Sequence, residues 1–402
     1  MKFANRLDLL RSNVFADMDR AKSKAILAGQ DLIDLSLGSS DLPVSDHIIK
    51  PIQDSLSDPS THGYLLFRNT QKFRETVAHW YSHRYGIAID PETEVLQLIG
   101  SQEGTAHLPL AILNPGDFAL LQDPGYPSHL GGVYLAGGQM YPMPLRAEND
   151  FLPVFEDIPE TVLKQSRMMV LSYPHNPTSA TAPLSFFQKA VEFCQNHDLV
   201  LVHDFPYMDF VFPQGKQTIA ELAPSILQAD PNKTVSIEFF TFSKSYNMGG
   251  FRVGFAIGNP KLILALRQIK AVVDFNQYQG ILNGAIAALT GPQDHIAQNM
   301  AVFATRRDTF IQRMQNIGWN IPKPEATLYI WAKLPQPWSE DSIGFCQQLV
   351  DKTGVAASPG VGFGKSGEGY VRFALVHPPE VLATAVDRIA EFLSTSQPTS
   401  NP

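Results

Sequence analysis

The pattern of apolar and polar residues predicts an α/β domain over most of the chain. Four short runs are rich in Val, Leu, Ile, Phe or Met and are apolar on both faces. These runs are 118–122, 168–172, 199–203 and 235–241. Such runs are typical of strands in a parallel sheet that helices cover on both sides. Segments with helical spacing at 186–197 and 260–272 have the length expected of crossover helices.

The pattern changes near residue 290, where shorter elements follow a long charged helix. The expected elements are a helix at 297–316, a strand at 327–333, a helix at 341–353, a glycine-rich loop at 359–369, a strand at 370–375 and a helix at 379–394. At the other end, a helix at 17–28 and a strand at 32–37 precede the sheet region. We predict a large domain over 45–289, and a smaller α+β domain formed by 1–44 together with 290–402.

Composition narrows the class of protein. Of the 402 residues, 44% are apolar and 17% are charged, so the chain can bury a sizeable core. The net charge of −8 argues against a nucleic-acid-binding protein, which is normally basic. No apolar h-region opens the chain, and no uncharged apolar stretch approaches the ~20 residues of a membrane span. We expect neither nucleic-acid nor membrane partners.

The two cysteines, Cys194 and Cys346, lie far apart in the sequence. They form no CxxC motif and no disulfide framework, so we expect no metal site built on them. Reduced thiols of this kind are typical of a cytoplasmic protein.

Lys244 is the residue with the strongest chemical indication. The amine lies between the hydroxyl residues Thr241, Ser243 and Ser245, and Arg252 follows eight residues later, after a Gly-Gly pair. An amine close to groups that hold an anion indicates a Schiff base to a phosphorylated aldehyde. The alternative, a solvated surface lysine, is the commoner fate of this residue type, so the hypothesis depends on residues elsewhere.

Polar segments follow three of the apolar strands, where open α/β sheets bind ligands. The segment 100–104 turns through glycine into a helix, which suits a phosphate, although many βα turns look alike. The segment 172–178 holds Asn176 in a loop stiffened by prolines, or is an ordinary turn. Asp204 ends a buried strand, where it needs a cationic partner such as a pyridinium, unless it caps a helix.

Two features lie near the C-terminus. Arg372 is flanked by apolar residues in a predicted strand, and a carboxylate bound by both arms of its guanidinium would explain it, as would a structural ion pair. The segment 360–366 resembles a phosphate-binding P-loop, but Pro359 stands where that pattern needs its first glycine. The segment also precedes a strand instead of opening a helix, so we expect no nucleotide site there.

Taken together and in this order, these segments resemble the class I/II aminotransferases of pyridoxal phosphate (PLP) fold type I. The resemblance runs from about residue 32 to residue 392. The segments 326–332 and 367–372 are most similar to the branch with LL-diaminopimelate, alanine and aspartate aminotransferases. The chain departs from the family pattern at Thr241, where serine is usual, and at Asn69 and Ser179, where glycine is common.

The resemblance implies a role for each residue around the cofactor. Lys244 would hold PLP as a Schiff base and then move the substrate proton. Asp204 would pair with the pyridine nitrogen, while Asn176 and Tyr207 would hydrogen-bond the phenolic oxygen. Tyr126 would stack on the ring. The phosphate would be held by Ser101, Gln102, Thr241, Ser243 and Arg252.

The resemblance also implies how substrate and subunits are arranged. Arg372 would clamp the substrate α-carboxylate, with Asn176 and the Gly38 backbone nearby. Tyr64 would reach the phosphate of a neighbouring subunit, which implies a homodimer with shared active sites. Asp274 stands about where some dicarboxylate-specific relatives carry an arginine, so we do not expect selectivity for aspartate by that means.

The function implied is transfer of an amino group from an amino acid to a 2-oxo acid, by a ping-pong mechanism through pyridoxamine phosphate. Diaminopimelate, aspartate, alanine and glutamate are the substrates that the resemblance suggests. Two alternatives stay open: a PLP-dependent C–S β-lyase on the same fold, and a PLP-binding regulator without turnover.

Overall fold

The computed structural model describes residues 1–10, 14–213 and 218–395. Its strands are β1 (Ile33–Asp34), β2 (Val95–Leu98), β3 (Phe118–Asp123), β4 (Gln139–Pro144), β5 (Ser166–Leu171), β6 (Val200–Asp204), β7 (Ser236–Thr241), β8 (Gly254–Gly258), β9 (Tyr329–Lys333), β10 (Val355–Ala356), β11 (Ser358–Pro359) and β12 (Tyr370–Ala374). Its helices are α1 (Arg6–Leu9), α2 (Val14–Leu27), α3 (Asp46–Leu56), α4 (Gln71–Tyr85), α5 (Ser101–Ile112), α6 (Pro127–Leu135), α7 (Glu160–Leu163), α8 (Leu184–Asn196), α9 (Ile219–Leu222), α10 (Pro260–Val273), α11 (Gln279–Thr290), α12 (Asp294–Asn316), α13 (Ser342–Thr353) and α14 (Pro379–Thr395).

A seven-stranded sheet in the order β2-β8-β7-β6-β5-β3-β4 forms the large domain. Every neighbouring pair is parallel except those of β8, which runs antiparallel to both β2 and β7. The mostly parallel sheet predicted from the sequence is therefore confirmed. The sequence did not indicate β4, which holds Pro142 and Pro144 at the sheet edge, or β8, which is short and begins and ends with glycine.

Side chains on the central strands point alternately into two cores. In β5, Met168 and Val170 pack in the core that includes α5 and α10, while Met169 and Leu171 pack in the core that includes α4 and α8. Burial on both faces explains why these strands are apolar throughout. At the start of α10, Asn259 accepts hydrogen bonds from the backbone N–H groups of Lys261 and Leu262.

The second domain contains an antiparallel sheet in the order β11-β12-β9 and a parallel pair formed by β1 and β10. Its core includes residues from α2, α12, α13 and α14. The strand predicted over 32–37 is wrong in extent, because only Ile33–Asp34 is a strand. The Asp34 carboxylate accepts hydrogen bonds from the backbone N–H and the hydroxyl of Ser36, which turns the chain there. The domain limits stay a prediction, and residues 396–402 of the predicted small domain lie outside the described residues.

Among the described residues, no helix is both long enough and apolar enough to cross a membrane.

A buried ion cluster joins α5 to α10. The Lys270 ammonium is fully buried and lies 2.9 Å from both carboxylate oxygens of Glu103 on α5. It lies 2.9 Å from the Asp274 carboxylate as well, so Asp274 belongs to this cluster. Glu103 also accepts a hydrogen bond from the Ile99 N–H, just before the turn into α5. The cluster therefore fixes the position of the N-terminal end of α5.

We predict that Lys270→Met lowers the free energy of unfolding by about 3–5 kcal/mol, because the Glu103 carboxylate would be left buried without its cation. Chemical unfolding followed by circular dichroism measures this change. Adding Glu103→Gln to Lys270→Met should recover much of the loss, since the charge is removed while an acceptor for the Ile99 N–H remains. Equal stability of the single and double variants would contradict this account of the cluster.

Candidate active site

A cavity of about 230 Å³ opens where the strands of the large sheet end, facing the small domain. It is the place that open α/β sheets favour for ligands. The predicted site residues that line it are Gly38, Ser101, Gln102, Tyr126, Asn176, Asp204, Tyr207, Thr241, Ser243, Lys244, Arg252 and Arg372. Tyr64 is not among the lining residues and its side chain is 91% exposed. The structure thus brings together residues that the sequence spreads over more than 330 positions.

The Lys244 amine lies in the cavity between the two domains. It is carried by the turn that follows β7, and it donates a hydrogen bond to the backbone carbonyl of Gly38. Its nitrogen is 5.6 Å from the centre of the Tyr207 ring. The amine is half-buried and held by a single carbonyl, which leaves it free to react with a molecule in the cavity.

Asp204 presents one satisfied and one unsatisfied oxygen at the end of β6. His129 on α6 lies 3.0 Å from Oδ2, whereas Oδ1 is buried and has no hydrogen-bond partner in the described part of the chain. A buried acceptor without a donor costs about 1–3 kcal/mol, more when it is charged. Asp204 therefore fits a cationic N–H donor such as the pyridinium of PLP.

His129 was not predicted from the sequence. It lies three residues after Tyr126, so about one helical turn separates the residue predicted to stack on the cofactor ring from the partner of Asp204. The rings of Tyr126 and His129 are 5.7 Å apart and nearly perpendicular. Burial raises the pKa of Tyr126, so its hydroxyl stays protonated.

An anion cradle lies at the start of α5. Gly100 has φ +77°, and a Cβ there would come within 2.8 Å of Nη2 of Arg252, so the guanidinium lies against this turn. The Thr241 hydroxyl donates to the Ser243 hydroxyl at 2.8 Å on the same side of the cavity. Free N–H groups at a helix N-terminus, a guanidinium and hydroxyls together suit a phosphate dianion.

Arg372 is a buried cation that neutral groups surround. Its Nη1 donates to Asn176 Oδ1 at 2.8 Å and its Nη2 to the Ser36 carbonyl at 2.6 Å. The guanidinium carbon lies 4.2 Å from the ring centre of Tyr329 and 4.5 Å from that of Phe363. No carboxylate pairs with it among the described residues. Neutral oxygens and aromatic faces hold the side chain, which leaves its charge to a bound carboxylate.

The loop 172–178 holds Asn176 beside Arg372. His175 is fully buried, and this burial, together with the proximity of His129, lowers its pKa to about 3. Its Nδ1 lies 2.7 Å from the Thr178 hydroxyl. His175 is therefore a neutral ring that supports the loop. Because Asn176 accepts from Arg372 with its carbonyl oxygen, its NH₂ group can donate to a bound molecule.

Tyr329 is a second site residue that the sequence analysis missed. The Tyr207 hydroxyl donates to the Tyr329 hydroxyl at 2.9 Å, and burial raises the pKa of Tyr207 well above its usual value. Burial acts to raise the pKa of Tyr329 too, but the charges of Lys244 and Arg372 lower it overall. A Cβ on Gly38 would collide with the Tyr329 hydroxyl, so the absence of a side chain there makes room for it.

Three comparisons with known proteins show the family of the chain. The family model for aminotransferase class I and II matches residues 30–389. The LL-diaminopimelate aminotransferase of Dehalococcoides mccartyi is 42% identical over 98% of this chain and 100% of its own. The enzyme of the same name from Moorella thermoacetica is 40% identical over 98% of this chain and 99% of its own.

Solved structures are similar over nearly the whole chain. Substrate-bound BacF from Bacillus subtilis superposes with a TM-score of 0.91 at 36% identity, covering 98% of both chains. A probable N-succinyldiaminopimelate aminotransferase from Thermus thermophilus gives 0.88 at 41% identity, covering 94% of this chain and 99% of that one. The chain therefore belongs to the class I and II aminotransferases, the PLP-dependent transferases that carry an amino group from an amino acid to a 2-oxo acid by a ping-pong mechanism.

Proposed function

We propose that this chain is an LL-diaminopimelate aminotransferase that acts as a cytoplasmic homodimer. The observation that carries the proposal is the pair of groups in the cavity: an amine on Lys244 and a guanidinium on Arg372 that no protein carboxylate neutralises among the described residues. An α-amino acid needs both groups, because the amine acts at its amino-bearing carbon and the guanidinium binds its carboxylate. The diaminopimelate part rests on the names of the relatives near 40% identity.

The side chains divide the work in the proposed reaction. Arg372 and Asn176 bind the α-carboxylate and orient the amino carbon towards Lys244. The Lys244 amine would take the proton from that carbon and hold it on its nitrogen. PLP supplies an electrophilic carbon and an electron sink.

Asp204 and the two tyrosines set the electrostatics. The carboxylate of Asp204, steadied by His129, keeps a ring nitrogen protonated. The Tyr207 hydroxyl keeps its own proton, and it can donate that proton to a cofactor oxygen by giving up its hydrogen bond to the Tyr329 hydroxyl. The helix start at Ser101 and the guanidinium of Arg252 hold the phosphate.

An exposed apolar surface supports the homodimer. The side chains of Leu264 and Val272 on α10 are 55% and 87% exposed, and Tyr64 is 91% exposed. Leu264 also lines a mostly apolar groove of about 320 Å³, together with Phe67. Apolar patches of this kind are typical of interfaces. We propose that a second copy covers it and receives Tyr64 at its phosphate site.

The cytoplasmic part of the proposal rests on Cys194 and Cys346. Both cysteines are buried thiols, as is common in a reducing compartment.

The proposal predicts that LL-diaminopimelate alone converts the bound cofactor to pyridoxamine phosphate, seen as loss of its visible absorbance. We expect its kcat/KM to exceed that for aspartate by at least about tenfold, since side-chain recognition of this size is common. Ammonia and pyruvate released from cystathionine without pyridoxamine phosphate would instead show a C–S β-lyase.

Arg372→Ala should lower kcat/KM for every amino donor, because it removes the cation that binds the shared α-carboxylate. The loss should correspond to about 2–5 kcal/mol of transition-state stabilisation. Steady-state kinetics with several donors measure this loss. Arg313→Ala is the matched control, since Arg313 lies on the surface and pairs with Asp387. A loss confined to one donor would move Arg372 to side-chain recognition.

Shared active sites can be tested by mixing two inactive variants. Lys244→Ala should lose the link to PLP that borohydride fixes, and Tyr64→Ala should lose activity at limiting PLP. In a mixed dimer, one site carries both substitutions and the other carries neither. Half of the dimers are mixed after equal mixing, so about a quarter of all sites should be intact. Activity that never exceeds the sum of the two variants would show that Tyr64 acts within its own subunit.

A further inference from the structure

Ser179 and Thr327 are two residues other than glycine that adopt left-handed backbone conformations and touch each other. Their φ angles are +62° and +61°, a region that side chains disfavour, β-branched ones most of all. Glycine would adopt this backbone without strain, so the presence of a side chain at both positions asks for a reason.

The two hydroxyls form a closed hydrogen-bond ring with the backbone of Tyr329. Ser179 Oγ is 2.6 Å from Thr327 Oγ1 and 3.0 Å from the Tyr329 carbonyl, and the Tyr329 N–H is 3.1 Å from Thr327 Oγ1. One assignment uses every proton: the Tyr329 N–H donates to Thr327, Thr327 donates to Ser179, and Ser179 donates to the Tyr329 carbonyl. All three residues are buried, so water does not compete for these bonds.

The ring lies where the chain passes from the large domain to the small one. The Thr327 N–H donates to the Phe210 carbonyl at 2.7 Å, and the Phe212 N–H to the Glu325 carbonyl at 2.8 Å, which ties 325–327 to the large domain. Tyr329 then begins β9, the outer strand of the small sheet. On an inner strand, the outward N–H and C=O groups of this residue would bond to another strand. Here the Tyr329 N–H bonds to the Thr327 hydroxyl and the Tyr329 carbonyl to the Ser179 hydroxyl.

The same ring connects two groups that hold Arg372. Ser179 lies three residues after Asn176, whose carbonyl oxygen is 2.8 Å from the guanidinium. The aromatic side chain of Tyr329 also supports the guanidinium, whose carbon lies 4.2 Å from the centre of the phenol ring. We propose that Ser179 and Thr327 are positioning residues that fix Asn176 and Tyr329 relative to each other, and thereby hold Arg372 in place for the substrate carboxylate. The inference rests on the proposed role of Arg372.

Ser179→Ala and Ser179→Gly separate positioning from stability. Both variants remove the hydroxyl, but glycine also relieves the left-handed strain, so Ser179→Gly should melt higher than Ser179→Ala. We expect both to raise KM for the amino donor by about three- to tenfold, the effect of one lost buried hydrogen bond, with a smaller change in kcat. If KM follows the melting temperature, so that the glycine variant behaves like the wild type, the role is structural only and the inference fails.

Thr327 variants test the ring itself. Thr327→Ser keeps the hydroxyl and should keep KM, whereas Thr327→Val should raise KM as Ser179→Ala does. The double variant Ser179→Ala/Thr327→Val should be no worse than the more affected single variant, because either change opens the same ring. Additive increases would show two independent contacts. Asp198→Gly is the control for relief of strain, because Asp198 has φ +53°, is exposed and does not line the active-site cavity.

Binding of pimelate to the apo protein, measured by calorimetry, gives a readout without turnover. Pimelate has the carboxylates of diaminopimelate but no amine, so the Ser179 variants should weaken it by about the same three- to tenfold. Arg372→Ala in the same assay separates the two levels of inference. If that variant binds pimelate like the wild type, the proposed role of Arg372 fails; if it binds weakly while the Ser179 variants bind normally, only the positioning role fails.

Discussion

The unsatisfied oxygen of the buried Asp204 carboxylate is the constraint around which the site is arranged. A carboxylate oxygen buried without a donor is tolerable only beside something that will neutralise it. The parallel sheet brings the ends of its strands to one edge, and helix α6, which follows β3 there, supplies His129 for the other oxygen. Arg372 mirrors Asp204 from the small domain: a buried cation held by neutral groups. Between these two charges lie the amine of Lys244 and the cavity.

Much of the fold could be predicted because burial on both faces leaves a plain signature. The central strands are continuous apolar runs, and polar residues that interrupt them at one end stand out, as Asp204 does. Strands β4 and β8 gave no such signature: the first is an edge strand with prolines, and the second is five residues bounded by glycines. These two strands form because they pair with neighbouring strands of the sheet, and the residue pattern along the chain does not reveal that pairing.

The residues missed in the site share a cause. Tyr329 lies in an apolar strand, where an aromatic residue usually belongs to the core, and only the approach of Gly38 reveals that its hydroxyl lines the cavity. His129 becomes significant when α6 turns it towards Asp204. Ser179 was visible as a departure from the family pattern, but its left-handed backbone and its contact with Thr327 exist only in three dimensions.

The reversed direction of β8 has a consequence for how the site can change. Because β8 runs against β7, its first residue lies at the same edge as the last residue of β7, with Thr241 opposite Gly254. The 12 residues between these strands therefore deliver both Lys244 and Arg252, where a parallel strand would have needed a whole crossover helix between them. The proposed Schiff-base lysine and the proposed phosphate-binding arginine thus lie on one short connection, so an insertion in it would disturb both roles at once.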